Sequence, residues 1–401
     1  MSSRASNLPF VFSCIGHTYI HLFTAFYFVI VLALETAWGL PYHELIALWT
    51  PGALLVGLGA LPAGWLGDRW SASGMMVVFF IGMGGSAILC GVAGGPVLLA
   101  VGLGGIGLFA SIYHPVGIAW LVRNTTVNRG KALGVNGIFG SLGVATAGAI
   151  GGLLIDLAGW RAAFIVPGAV SLLTGFALWA CVHRGLIEGA VVETIRPPTA
   201  SRRDLVRVFG VLLLTMFVGG IIFQSTQTAL PKLFAGRLGD LAGDGALGVG
   251  LLVALVYGVA GVMQLIGGFL ADRYSLRAIY MIAFAIQIPL LFFAAGMAGL
   301  PLLAVSTMMV VFSIGALPAE NMLLANYAPE KHHGLAFGMK FVLAFGAAPL
   351  ALLLVSAIHR ASGGFELLLM VLAGFALLCF AATLLLPGTR GGAARTAAAA
   401  E

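Results

Sequence analysis

The stretch "GWLGDRW", Gly64 to Trp70, returns later in the chain as "GFLADRY", Gly268 to Tyr274, which sets Asp68 on Asp272 at a separation of 204 (272 minus 68). Carrying that separation of 204 forward sets Gly130 on Gly334, Gly134 on Gly338 and Trp160 on Gly364 without a gap. One register held across four landmarks marks an internal duplication. Between the two copies lies the one long polar connection, His183 to Arg207, with Arg-Pro-Pro and Ser-Arg-Arg inside it. Such a segment reads as a linker.

Of the 401 residues, 60% are hydrophobic and 8% charged, and the mean hydropathy is +1.07. A water-soluble domain of this size could not stay dispersed with that balance, so the chain is expected to be an integral membrane protein. A helix crosses a bilayer with about 20 apolar residues. Twelve such runs are punctuated in the sequence: Phe10 to Leu34, Leu45 to Trp65, Gly74 to Val92, Pro96 to Val122, Ala132 to Leu157, Ala162 to Val182, Val208 to Leu230, Ala246 to Leu270, Ala278 to Met297, Pro301 to Leu324, Leu335 to Ile358 and Phe365 to Leu386. A lipid-facing β-barrel would show roughly ten-residue segments of alternating polarity instead. The expected fold is therefore all-α, twelve transmembrane helices in two pseudo-symmetric six-helix bundles. Residues 1–182 form the first bundle, 183–207 a cytoplasmic linker, 208–389 the second bundle and 390–401 a cytoplasmic tail.

Lysine and arginine collect on cytoplasmic loops. With the amino terminus inside, fifteen of them fall on the cytoplasmic side and four, Arg161, Lys232, Arg237 and Arg360, on the other. Both termini are then cytoplasmic, and the net charge of +6 follows from topology rather than from a nucleic-acid partner. The first span has little basic flank and no small-residue cleavage pattern, so it is expected to be a retained helix. Cys14, Cys90, Cys181 and Cys379 fall within spans at no metal or disulfide spacing.

Two parallel six-helix repeats, with the short "GWLGDRW" and "GGFLADRY" loops after the second and eighth spans, resemble the major facilitator superfamily. That resemblance implies that Asp68, Arg69, Asp272 and Arg273 latch the two halves on the cytoplasmic side. The first copy departs from the family pattern, with "SASG" where further basic residues are usual; the second keeps Arg277. Within the superfamily, "GIGLFASIYHPVG", Gly105 to Gly117, is similar to the Gly-rich fourth span of the fosmidomycin-resistance exporters, which runs into Phe-His-Pro. That group also carries a His followed four residues later by an Asp in the first span. Here the stretch is "GHTYIH", with His21 in the acidic position.

Ionisable groups inside a membrane are costly unless paired, so each is a functional candidate. His17 and His21 are four apart on one helical face, continued by Thr24 and Phe28. His114 follows Ser111 by most of a turn, and Pro115 removes the amide that would bond the Ser111 carbonyl, loosening the helix there. Glu320, in the tenth span, continues a polar line from Ser306 and Ser313 and is expected to be the main proton-carrying carboxylate. The competing interpretation pairs it with Lys331, Asn321 or Asn326. Lys340 lies within reach of the cytoplasmic face and is expected to snorkel. Proton coupling is assigned to Glu320, His21, His17 and His114. Substrate contacts are assigned to His17, His21, Thr24, Tyr27, Ser111, His114, Asn136, Gln224, Gln227 and Tyr257, with Thr228 a further hydrogen-bonding group. Helix-to-helix bonding is the alternative for each uncharged residue.

"GLGGIG", Gly102 to Gly107, matches the dinucleotide pattern G-x-G-x-x-G, but that fingerprint needs a preceding strand and a βαβ unit. In a membrane span it is close-packing glycine, as are Gly140, Gly143, Gly148 and Gly152 in the fifth span. No cofactor, enzymatic site or nucleic-acid partner is expected. The resemblance implies a monomeric, proton-coupled antiporter of the cell inner membrane that exports a small organic compound by alternating access. The imidazole and carboxylate donors His17, His21, His114 and Glu320 leave open a transition metal or metal chelate as cargo, and whether a metal binds is not decided by sequence.

Overall fold

A computed structural model of the chain describes residues 7–125, 129–187, 202–243, 245–327 and 333–387. Among them are twelve helices long and apolar enough to span a bilayer: Leu8–Trp38, Tyr42–Arg69, Ala72–Gly91, Pro96–Asn124, Ala132–Ala158, Trp160–His183, Arg207–Arg237, Ala246–Arg273, Leu276–Ala294, Gly299–Leu324, Val342–Ser362 and Glu366–Thr383. The twelve expected runs are recovered. The middle of the linker, residues 188–201, and the expected tail, 390–401, lie outside the described residues.

The spans fall into two compact units, Met1–Thr194 with Asp244–Ala254, and Ile195–Gly243 with Leu255–Glu401. In the first unit the first span packs chiefly on the fifth and the third on the sixth; in the second unit the seventh packs on the eleventh and the ninth on the twelfth. The pairing repeats as the duplication requires. The start of the eighth span, as far as Ala254, groups with the first unit. A methyl at Gly148 would fall 2.7 Å from the Gly250 carbonyl oxygen, and one at Gly152 2.5 Å from that of Ala246. Asp156 then accepts the amide hydrogens of Ala246 and Leu247, both at 2.9 Å. A carboxylate on the free amides of a helix start satisfies donors that have no intrahelical partner and meets the positive end of the helix dipole.

Large apolar side chains cover the outside of both units, with Val97 80% and Val262 61% exposed. Aliphatic surface of this kind is stable in lipid and not in water. Inside, the fourth span is interrupted by a π-helical turn at Tyr113–Gly117, where Pro115 has no amide to offer the ladder. The equivalent place in the second unit is also broken, the helix stopping at Gly315 and resuming at Leu317. Gly64 and Gly67 of "GWLGDRW" lie in the last turns of the second span and pack against this bend. A methyl at Gly64 would lie 3.2 Å from Pro115 and one at Gly67 2.8 Å from Val116.

Close approach of backbones also holds the second span to the fourth, since a methyl at Gly107 would lie 2.0 Å from the Gly52 carbonyl oxygen. Overpacking a tight contact costs about 1–3 kcal/mol. Gly107→Ala is therefore expected to lower the thermal unfolding midpoint in detergent. Gly104→Ala, whose nearest neighbour Leu55 is 3.9 Å away, leaves it unchanged, as tryptophan-fluorescence melts of the two variants will show.

Candidate functional site

The first span carries Ser13, His17 and His21 on successive turns of one face, and the bend of the fourth span presents Tyr113 and His114 to it. The three imidazoles meet. Ring centroids lie 5.0 Å apart for His17 and His21 and 5.6 Å for His114 with either of them. Taking one ligand atom from each, all three lie within 4.8 Å of one another. His114 is buried and the other two half-buried.

A hydrogen-bonded set holds the rings in place. His17 Nδ1 donates to the Asn136 carbonyl at 2.7 Å, because a carbonyl can only accept. Asn136 Nδ2 donates to the Tyr113 hydroxyl at 2.9 Å, and that hydroxyl donates to the Ser13 carbonyl at 2.8 Å. The Tyr113 ring stacks on His17 with centroids 5.0 Å apart and is clamped where methyls at Gly16 and Gly117 would fall 2.9 and 2.7 Å from it. Thr18 Oγ1 donates to the Phe139 carbonyl at 3.0 Å. The first, fourth and fifth spans are thus joined through polar groups that lipid could not satisfy.

The second unit has a different polar centre. Glu320 Oε1 lies 2.7 Å from Lys340 Nζ, and both residues are buried, at 7% and 8% exposure. Lysine 340 therefore does not snorkel: it turns inward to the one buried carboxylate among the described residues and also donates to Asn321 Oδ1. The Tyr280 hydroxyl donates to Glu320 Oε2 at 2.7 Å and lies 2.9 Å from Thr215 Oγ1. Lys331, the other partner expected for Glu320, lies outside the described residues. The repeat offset sets Asn136 on Lys340 (136 plus 204), so each unit anchors its polar centre from the same place in its fifth helix.

The remaining candidates separate. Tyr27 is fully buried and its hydroxyl donates to the Leu45 carbonyl at 2.6 Å, bonding the first span to the second. Thr24 and Ser111 donate to carbonyls of their own helices, Ile20 at 2.8 Å and Leu108 at 2.6 Å. Each of these three hydroxyls is engaged by a helix carbonyl. Gln227, Thr228 and Tyr257 are buried in the second unit, and Gln224 is half-buried. Of the latch residues, Asp68 pairs with Arg123 at 2.5 Å inside its own unit. Arg69 lies over Trp65 and Arg273 over Phe269, at 4.7 and 3.6 Å from the ring centroids, while Asp272 is exposed.

Sequence reasoning missed Ser13, Tyr113, Thr215 and Tyr280. Ser13 had a signal, being one turn before His17 on the same face, and Tyr113 adjoins His114. Nothing local marks Thr215 or Tyr280, whose importance depends on which helix reaches Glu320.

Among curated proteins, the probable sulfoacetate transporter SauU of Cupriavidus necator is 32% identical over 114 residues, 27% of this chain and 26% of that one. The chain thus matches about a quarter of that relative's length. Two solved structures share the fold across nearly the whole chain. A bacterial homologue of the human lysosomal transporter Spinster, inward-facing and unoccupied, has a TM-score of 0.70 at 14% identity, covering 96% of this chain and 95% of that one. The transporter FucP in its outward conformation has a TM-score of 0.65 at 14% identity, covering 96% and 100%. With its family profile matched over residues 13–245 and 238–401, the chain belongs to the Major Facilitator Superfamily and is a secondary transporter of the membrane, not an enzyme.

Proposed function

We propose that the protein is a proton-coupled antiporter that exports a small organic compound by alternating access, with Glu320 the proton-carrying group and the His17, His21 and His114 cluster the contact for cargo. The observation that carries this is the Glu320 to Lys340 pair, a carboxylate and an ammonium buried together in a membrane-embedded unit with Tyr280 and Thr215 around them. A proton arriving on Glu320 removes the charge that neutralises Lys340. The pair must then rearrange, because an uncompensated buried charge is costly. That is how protonation can be made to drive a conformational step. The similarity of the fourth span to the fosmidomycin-resistance group supports export, and the basic-residue asymmetry supports cytoplasmic termini in an inner-membrane protein. The partial match to a sulfoacetate transporter makes small carboxylates and sulfonates the first compounds to try. Asp68, Arg69, Asp272 and Arg273 keep the proposed role of a cytoplasmic latch, with Arg123 holding Asp68 in position, and the transporter is proposed to act as a monomer.

In proteoliposomes given a pH gradient, the wild-type protein is expected to accumulate a transported compound from a panel of small carboxylates and sulfonates. Glu320→Gln keeps gradient-free exchange of that compound and loses gradient-driven accumulation. Accumulation unchanged in the variant removes Glu320 from the coupling.

Stability gives an independent check on the pair. Lys340→Met strands the Glu320 carboxylate and should cost about 3–5 kcal/mol, whereas a buried pair replaced at both ends is often neutral. Thermal melts in detergent are expected to show a large drop for Lys340→Met and most of it recovered in the Glu320→Gln, Lys340→Met double variant. The double variant remains uncoupled.

A further inference from the structure

We propose that His17, His21 and His114 form a binding site for one divalent transition-metal ion of the zinc, nickel or cobalt class, taken up as a complex with an organic anion. The cargo part of this proposal rests on the transport reading above; the binding site does not.

The donor set selects the class of ion. Imidazole nitrogen suits zinc, nickel, copper and iron, while magnesium and calcium require oxygen. His17 and His21 stand one turn apart, the i, i+4 spacing by which a single helix offers two imidazoles to one ion, and His114 completes the set from the fourth span. Two nitrogens each about 2.1 Å from a tetrahedral ion are separated by roughly 3.4 Å. The widest separation here is 4.8 Å, so for one ion to bridge all three the nitrogens must come closer by about 1.4 Å, and with His17 held by the Asn136 carbonyl that adjustment falls to the side chains of His21 and His114. Three protein ligands leave a fourth position open, the mark of a site that exchanges its ligand rather than a closed structural one.

The surroundings match that use. His17 donates Nδ1–H to the Asn136 carbonyl at 2.7 Å, which fixes the tautomer and leaves Nε2 as the lone-pair donor, the outer-shell bond that metal-bound histidines characteristically make. Nε2 faces the fifth span where that helix has no side chain. A methyl at Gly140 would sit 2.6 Å from it, and one at Gly143 3.0 Å from the His21 Cβ.

Charge then identifies the form in which the ion comes. The three imidazoles bring no negative charge, and among the described residues no carboxylate or thiol joins the group. A bare divalent ion would remain uncompensated inside a membrane protein. An organic anion bound to the ion supplies the missing charge and fills the open position, so the small organic compound of the transport reading is the chelating part of the cargo.

The test is a titration of the purified full-length protein in detergent with cobalt(II) citrate and with cobalt(II) alone, followed by the visible absorption of the ion. Saturable binding with a histidine-type spectrum is expected, tighter for the citrate complex than for the bare ion. His21→Gln and His114→Gln should each weaken it at least tenfold while remaining monodisperse on size exclusion, and Glu320→Gln should bind as wild type does. Absence of binding, or binding that survives both histidine variants, overturns the site. Tighter binding of the bare ion overturns the chelate. Cobalt flux in proteoliposomes separates the two levels: binding without pH-driven cobalt flux upholds the site and counts against the transport reading, and pH-driven flux of an organic compound that ignores the metal overturns the cargo assignment alone.

Discussion

Lipid offers no hydrogen-bond partner, and the polar chemistry of this chain is arranged around that constraint. A charged or polar side chain in a span must find its complement in a neighbouring helix. Each unit meets the requirement with one larger polar centre. The first does so with neutral groups, Ser13, His17, Tyr113 and Asn136, and the second with the Glu320 and Lys340 pair braced by Tyr280. These centres tie the helices that line a unit to the helices behind them. Glycine adds to the joining, through backbone contacts such as Gly52 with Gly107 and Gly267 with Gly315.

The two units differ in the polar centre each carries, and the proposed transport cycle uses that difference. Asn136 and Lys340 occupy matched positions in the repeat, yet one orients an imidazole through its backbone carbonyl and the other neutralises a carboxylate. A unit of neutral donors suits a cargo that brings its own charge. A unit with a buried ion pair suits a proton, since protonation unbalances the pair by a full charge. On the proposed reading, cargo and proton fall to different units through residues that differ at matched positions.

The fold was legible in the letters because membrane physics writes it coarsely: twelve apolar runs and a repeat held in register by Asp68 and Asp272. The meeting of His17 and His21 was legible too, since four residues is one helical turn. The partners of Glu320 and Lys340 were not. Their 20-residue separation in sequence (340 minus 320) spans a connection between two helices, and no periodicity reports which faces of those helices oppose. The same limit made Lys340 look like a snorkelling lysine, and it hid the bond from the Tyr27 hydroxyl to the Leu45 carbonyl. The bend at Pro115 could be foreseen from its missing amide, but not that Gly64 and Gly67 of the repeated motif would pack on it.

Movement of protons when cargo moves is the most direct test of the central claim that Glu320 couples the two. A pH-sensitive dye sealed inside proteoliposomes reads it when a transported compound is added outside with no pH gradient imposed. Wild-type vesicles are expected to turn alkaline inside in proportion to the compound taken up, and Glu320→Gln vesicles to exchange the compound with no change of lumenal pH. Uptake by the wild type without a pH change, or the same change in the variant, would contradict the account.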